Sequence, residues 1–92
     1  MPDGAKGLRA GSVLLGQGGV MGWHSTRARE ELLIALHGTV QLEIRSSPRT
    51  VRRRILKAGQ CAFLPARILH RVVNRTAQRA RYLYVTAPTR KA

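Results

Sequence analysis

Apolar residues along the chain fall into short runs rich in Val, Ile and Leu, broken by Gly, Pro, Ser and Asn, and no stretch keeps a helical period. The pattern predicts an all-β chain with strands near Ser12–Leu15, Val20–Ser25, Glu31–Leu36, Thr39–Arg45, Thr50–Lys57, Cys61–Leu64, His70–Asn74 and Arg81–Thr86. Gly16 to Gly19, His37-Gly38, Ser46 to Arg49, Ala58 to Gln60, Pro65 to Arg67 and Thr76 to Gln78 mark the turns. About eight short strands at such even spacing fit a closed barrel or a two-sheet jelly roll better than an open sheet with bare edges. In the fourth strand Val40, Leu42 and Ile44 alternate with Gln41, Glu43 and Arg45, giving one apolar and one wet face. Glu31 to Leu36 differs, because both faces are apolar after the leading Glu. A strand of that kind needs cover on both sides, and a second subunit is the expected second cover, so a homodimer is expected. Residues 10–87 make the expected barrel, with tails at residues 1–9 and 88–92 that carry no packing pattern.

Length changes little in this picture: 92 residues make one domain and leave no room for a second. The longest unbroken apolar run, Leu32 to Leu36, has five residues, against roughly 20 for a bilayer crossing, so no membrane role is expected. The opening MPDGAKGLRA has no apolar core of a secretory signal, so a cytoplasmic protein is expected. Cys61 is the only cysteine, which excludes an internal disulfide; it reads as a small buried hydrophobe.

Charge is more unusual. Seventeen basic residues against four acidic ones give +13, and fourteen of the seventeen are Arg. Such a field attracts polyanions without selecting one. The arginines are scattered along the sequence, and Arg52, Arg53 and Arg54 alternate faces on a strand. Trp23, Phe63, Tyr82 and Tyr84 are few for a base-stacking platform. A solvated basic surface is therefore preferred, and nucleic-acid binding ranks third among the functional readings.

Candidate chemistry gathers at His24, Glu31 and His70. Imidazole nitrogen and carboxylate oxygen suit borderline divalent transition metals, and two His plus one carboxylate leave positions open for water, oxygen or substrate. His24 closes one predicted strand, Glu31 opens the next, and His70 begins a later one after the Pro65 turn. Barrel closure can bring all three to one mouth. Glu30 reads as the solvated neighbour of Glu31, because adjacent strand residues point to opposite faces. By the same alternation Met21 and Trp23 share the face opposite His24. His37 reads as a surface residue of its turn, and Asn74 as a holder of backbone hydrogen bonds.

These residues resemble the cupins. The first cupin motif runs Gly, five residues, His, one, His, three or four, Glu, six, Gly; here stand Gly18, His24, Thr26, Glu31 and Gly38. The second runs Gly, five residues, Pro, one, Gly, two, His, three, Asn; here stand Gly59, Pro65, Arg67, His70 and Asn74. Together the motifs cover Gly18 to Asn74. The resemblance implies a double-stranded β-helix, or jelly-roll barrel, holding a divalent transition metal (Fe, Mn, Zn, Ni or Cu) through His24, Glu31 and His70. Thr26 stands where the family has a second histidine, and a neutral hydroxyl is a poor ligand for such a metal. Arg67 stands where the family has a glycine; an exposed substitution and an anion clamp at the mouth are both open. Thr26, Arg67, Tyr82 and Tyr84 are the candidate pocket residues.

The first functional reading is a small metal-binding protein acting on a small carboxylate, hydroxyl or keto ligand, as an oxygenase, isomerase or lyase. The alternative is a non-catalytic binder of a sugar or other small molecule with a regulatory role.

Overall fold

The computed structural model describes residues 6–89. Its strands are β1 (Arg9–Leu15), β2 (Val20–His24), β3 (Arg29–His37), β4 (Thr39–Ser47), β5 (Thr50–Lys57), β6 (Cys61–Leu64), β7 (Leu69–Val73) and β8 (Ala80–Pro88). No helix forms among the described residues. The strands make two four-stranded antiparallel sheets, ordered β1-β8-β3-β6 and β2-β7-β4-β5. Only the β4–β5 connection stays within one sheet; every other one crosses, which is the jelly-roll arrangement expected from the strand spacing.

Alternation supplies the core. Leu33 and Ala35 of β3, Val40 and Leu42 of β4, Leu56, Leu64, Val72 and Tyr82 all turn inward and are buried. Each fully buried Leu or Val contributes roughly 1.5–3 kcal/mol through apolar area removed from water. Gly38 closes the β3–β4 turn at φ +71°, and a Cβ there would lie 2.6 Å from the Arg79 carbonyl oxygen, so both conformation and space require glycine.

Two expectations change. Pairing runs further than the apolar pattern: β1 begins at Arg9, opposite Thr86, and β8 reaches Pro88, opposite Arg29. Thr89 donates its backbone N–H to the Ala28 carbonyl at 3.0 Å. Backbone ladders need no apolar side chain, so hydropathy understated both strands; residues 1–5 and 90–92 of the expected tails lie outside the described residues. Cys61 is exposed rather than buried, because β6 is an edge strand and Cys61 sits opposite Ile34 on the outer face. The second apolar face of β3 is left open by the chain itself: Leu32 and Leu36 are 36% and 46% exposed, beside Phe63 at 58%. Among the described residues no helix is long and apolar enough to cross a membrane.

Candidate metal centre

His24 ends β2, and His70 is the second residue of β7. The two stand opposite each other in the β2–β7 ladder, with ring centroids 4.3 Å apart. Glu31 reaches them from β3, in the other sheet. A β-bulge between Met21 and His24 makes this possible. Met21 already faces inward, opposite Val72, so strict alternation would send His24 to solvent; one extra residue restores it to the interior. The bulge also corrects the expected placement of Met21, which lines the same cavity as His24, while Trp23 turns outward beneath Arg45 and Arg71.

The donor atoms of His24, Glu31 and His70 lie within 4.8 Å of one another. Two donors at about 2.1 Å from one ion are at most about 4.2 Å apart, so the trio is set close to the span a shared ion needs. Both histidines are already oriented. His24 Nδ1 lies 2.7 Å from the Gly22 carbonyl and His70 Nδ1 lies 3.0 Å from the Ile68 carbonyl. A carbonyl can only accept, so each Nδ1 carries a proton, and in the neutral ring each Nε2 keeps a bare lone pair, the tautomer a metal requires.

His70 Nε2 then faces Glu31 Oε1 at 3.0 Å, with both side chains almost wholly buried. Two acceptors at that distance do not bond, and these two atoms are the buried ones left without a hydrogen-bond partner among the described residues. Something positive must stand between them, either a proton or a metal ion. Burial favours neutral His70, but the Glu31 contact, the Ile68 carbonyl and the Glu31 charge outweigh it and hold the imidazole above its ordinary value. The residues present thus fit a divalent metal.

A cavity of about 490 Å³ opens onto His24 and Glu31, walled by Val13, Met21, Thr26, Tyr82, Tyr84 and Thr86, within the usual range for a small-molecule site. Burial, with the Glu31 charge and then Tyr84, pushes the Tyr82 phenol up, so it stays a hydrogen-bond donor at neutral pH. Gly11 leaves room for Tyr84, whose hydroxyl would collide with a Cβ at that position.

A family described as "Cupin domain" matches residues 11–86. The chain belongs to the cupin family. No curated protein sequence matches it. It superposes on the TT1209 structure from Thermus thermophilus with a TM-score of 0.80 and 27% identity, covering 94% of this chain and 77% of that one. A Cupin 2 conserved barrel domain protein from Salinispora arenicola gives 0.78 and 24%, over 97% and 70% of the two chains. An oxalate oxidase gives 0.82 and 19%, over 89% of this chain and 42% of that one, so this cupin spans less than half of the oxidase chain. The latter two likenesses establish the fold alone.

The cupin motif positions now have physical roles. Gly18, Gly38 and Gly59 all take positive φ, and Arg67, in the place of the fourth motif glycine, also sits in the left-handed region at φ 65°. Its backbone N–H donates to the Arg27 carbonyl at 2.7 Å, which fixes the turn without a glycine. Arg67 is exposed and does not line the cavity. Thr26 does line it, but its hydroxyl proton goes to the Arg29 carbonyl at 2.5 Å, tying the β2–β3 turn. Asn74, fully buried, donates to the carbonyls of Leu15, Gly16 and Gln78 and accepts from Thr76. Sequence reading missed Ser12, Val13, Met21 and Thr86 in the cavity wall. Thr86 was reachable, since it lies two positions beyond Tyr84 on the face that carries Tyr82.

Proposed function

We propose that this cupin holds one divalent transition metal through His24, Glu31 and His70 and presents it to a small ligand bearing carboxylate, hydroxyl or keto oxygens. The convergence of the His24, Glu31 and His70 donor atoms to within 4.8 Å of one another carries this reading, and the buried His70–Glu31 pair supports it, since a proton or a metal ion must stand between those two atoms. A nitrogen-rich donor set with one carboxylate and no thiolate suits Fe, Mn, Zn, Ni or Cu rather than Ca or Mg. When bound, the ion supplies Lewis acidity, or an oxygen site if it is iron. The chain's own groups do the rest. Val13 and Met21 exclude water from one wall, and Tyr82 offers its proton to a ligand oxygen. Glu31 is committed to the ion and is not free to act as a base.

A second reading, ligand holding without turnover, is favoured by one observation. Among the lining residues only His24 and Glu31 carry an imidazole or a carboxylate, the usual general acid–base groups, and both are metal ligands in this reading. Anomalous diffraction from crystals of protein purified without a metal-affinity tag tests the shared claim. A peak bounded by His24, Glu31 and His70 is expected; a metal bound only elsewhere contradicts it. His24→Ala and His70→Ala then separate the readings, since an enzyme loses turnover together with its metal whereas a binder shows none at full occupancy.

We also propose that the outer face of the first sheet joins two copies. Leu14, Leu32, Leu36 and Phe63 leave it apolar and exposed, which is costly for a free surface. Sedimentation should give about twice the 10.2 kDa chain mass, and Phe63→Lys should return the monomer. A wild-type monomer at high micromolar concentration contradicts the dimer.

A further inference from the structure

His70 and Arg71 are consecutive on β7, so the second sheet presents the metal centre inward and a different chemistry outward. Strand register places Arg53, Glu43 and Arg71 in one row across β5, β4 and β7. Arg45 lies two positions along β4 on the same face, and Arg75 reaches back from the β7–β8 turn to the Glu43 carboxylate at 3.1 Å. Arginines separated in the sequence are thus collected by the pairing onto one surface. Glu43 is the one acidic side chain of this face among the described residues, bonded by Arg71 at 2.6 Å and paired with Arg53 at 3.5 Å. Four guanidiniums against one carboxylate leave a net positive surface.

Two further features make it more than a charged patch. Trp23 has the Arg45 and Arg71 guanidiniums over its ring, each 4.8 Å from the centroid. The indole therefore places two cations without neutralising them. Beside it opens a polar cleft of about 440 Å³, lined by Gln17, Val20, Arg71, Asn74 and Arg75, large enough for a nucleotide base and carrying an amide side chain at its wall.

We propose that this face binds single-stranded nucleic acid, with phosphates on Arg45, Arg53, Arg71 and Arg75 and bases against the Trp23–arginine stack and in the Gln17–Arg75 cleft. Guanidinium forks match phosphate oxygens, and guanidinium and indole planes stack on unpaired bases of any sequence. A duplex fits less well, because a four-stranded sheet face projects no element into a major groove and paired bases hide their stacking faces.

The test is fluorescence anisotropy with fluorescein-labelled twelve-nucleotide oligouridylate and oligothymidylate over a range of salt. Saturation should quench the emission of Trp23, the only tryptophan of the chain. Arg45→Ser/Arg53→Ser should weaken binding about tenfold and lower the slope of log affinity against log salt by about 1.4, two contacts at about 0.7 each. Arg52→Ser/Arg54→Ser has the same net charge and sits on the opposite register of β5; it should change affinity less than about twofold. Equal losses in the two pairs would mean diffuse attraction and overturn the proposal. So would a wild-type complex without Trp23 quenching, a duplex bound as tightly as the single strand, or polyglutamate of matched length competing as well as the oligonucleotide.

Discussion

Glu31→Gln should stabilise the metal-free protein at high pH while removing its metal site. The substitution exchanges a carboxylate oxygen for an amide of nearly the same shape, so packing is preserved. Above the His70 titration, His70 Nε2 and Glu31 Oε1 are two buried acceptors facing each other at 3.0 Å. The glutamine amide donates to Nε2 and satisfies both sides, a gain of about 2 kcal/mol from one new hydrogen bond and one relieved desolvation penalty. At low pH the sign reverses. Protonated His70 then pairs with Glu31, and the amide leaves a buried imidazolium without its counter-charge, a loss of about 2 kcal/mol or more. Because His70 is raised in the fold, the pair's contribution is fully present below the ordinary imidazole value of 6.5 and is lost as pH rises through the folded value. Wild type should therefore lose stability as pH rises above 6.5 while the variant does not, and the two profiles should cross. Urea unfolding with EDTA and a reductant at pH 5.5 and pH 9 reads this directly. A variant less stable than wild type by the same margin at both pH values refutes the reasoning.

Asn74→Ala removes donors to three carbonyls and the acceptor of the Thr76 N–H in a buried position; a loss of about 3 kcal/mol in urea unfolding is expected, and a loss under about 1 kcal/mol contradicts the assigned role. Glu43 is held down to about 2: burial opposes this, but the hydrogen bonds from Arg71, Arg75 and Gln41 prevail. Its contribution to stability is present above about 4.5 and disappears as pH falls toward about 2, so the acid limb of the stability profile should flatten in Glu43→Gln; an unchanged limb contradicts the network. Gly18→Ala meets open space at φ +73° and should cost about 1 kcal/mol of left-handed strain. Gly38→Ala adds the collision with the Arg79 carbonyl and should cost about 1–3 kcal/mol more; equal effects of the two substitutions would show that the β3–β4 turn yields freely.

Alternation and turn residues carried most of the fold, because each strand has one apolar face and each motif glycine marks a positive-φ turn. The alternation also separated Glu31, buried and inward, from Glu30. What escaped the sequence had identifiable causes. The bulge between Met21 and His24 is an offset in pairing, invisible until β7 fixes the register, and it brings Met21 into the cavity beside His24 while Trp23 keeps the face opposite His24. Cys61 looked apolar enough to be buried, but it points to the outer face of its sheet, unlike its buried strand neighbours Ala62 and Leu64. The arginines looked scattered because charge was read along the chain, whereas cross-strand pairing decides which of them meet. Arg67 shows that a glycine's conformation can be kept without a glycine, so residue type alone did not reveal that its side chain lies outside the cavity.

Calorimetric titration of EDTA-stripped protein with the metal found in the as-purified sample tests the central claim most directly. One divalent ion per chain should bind at pH 8, with apparent affinity falling about tenfold for each pH unit below the His70 titration as a proton competes for Nε2, and His70→Ala should not bind it. Binding of equal strength in His70→Ala, or none in the wild type with any of the five metals, would contradict the account.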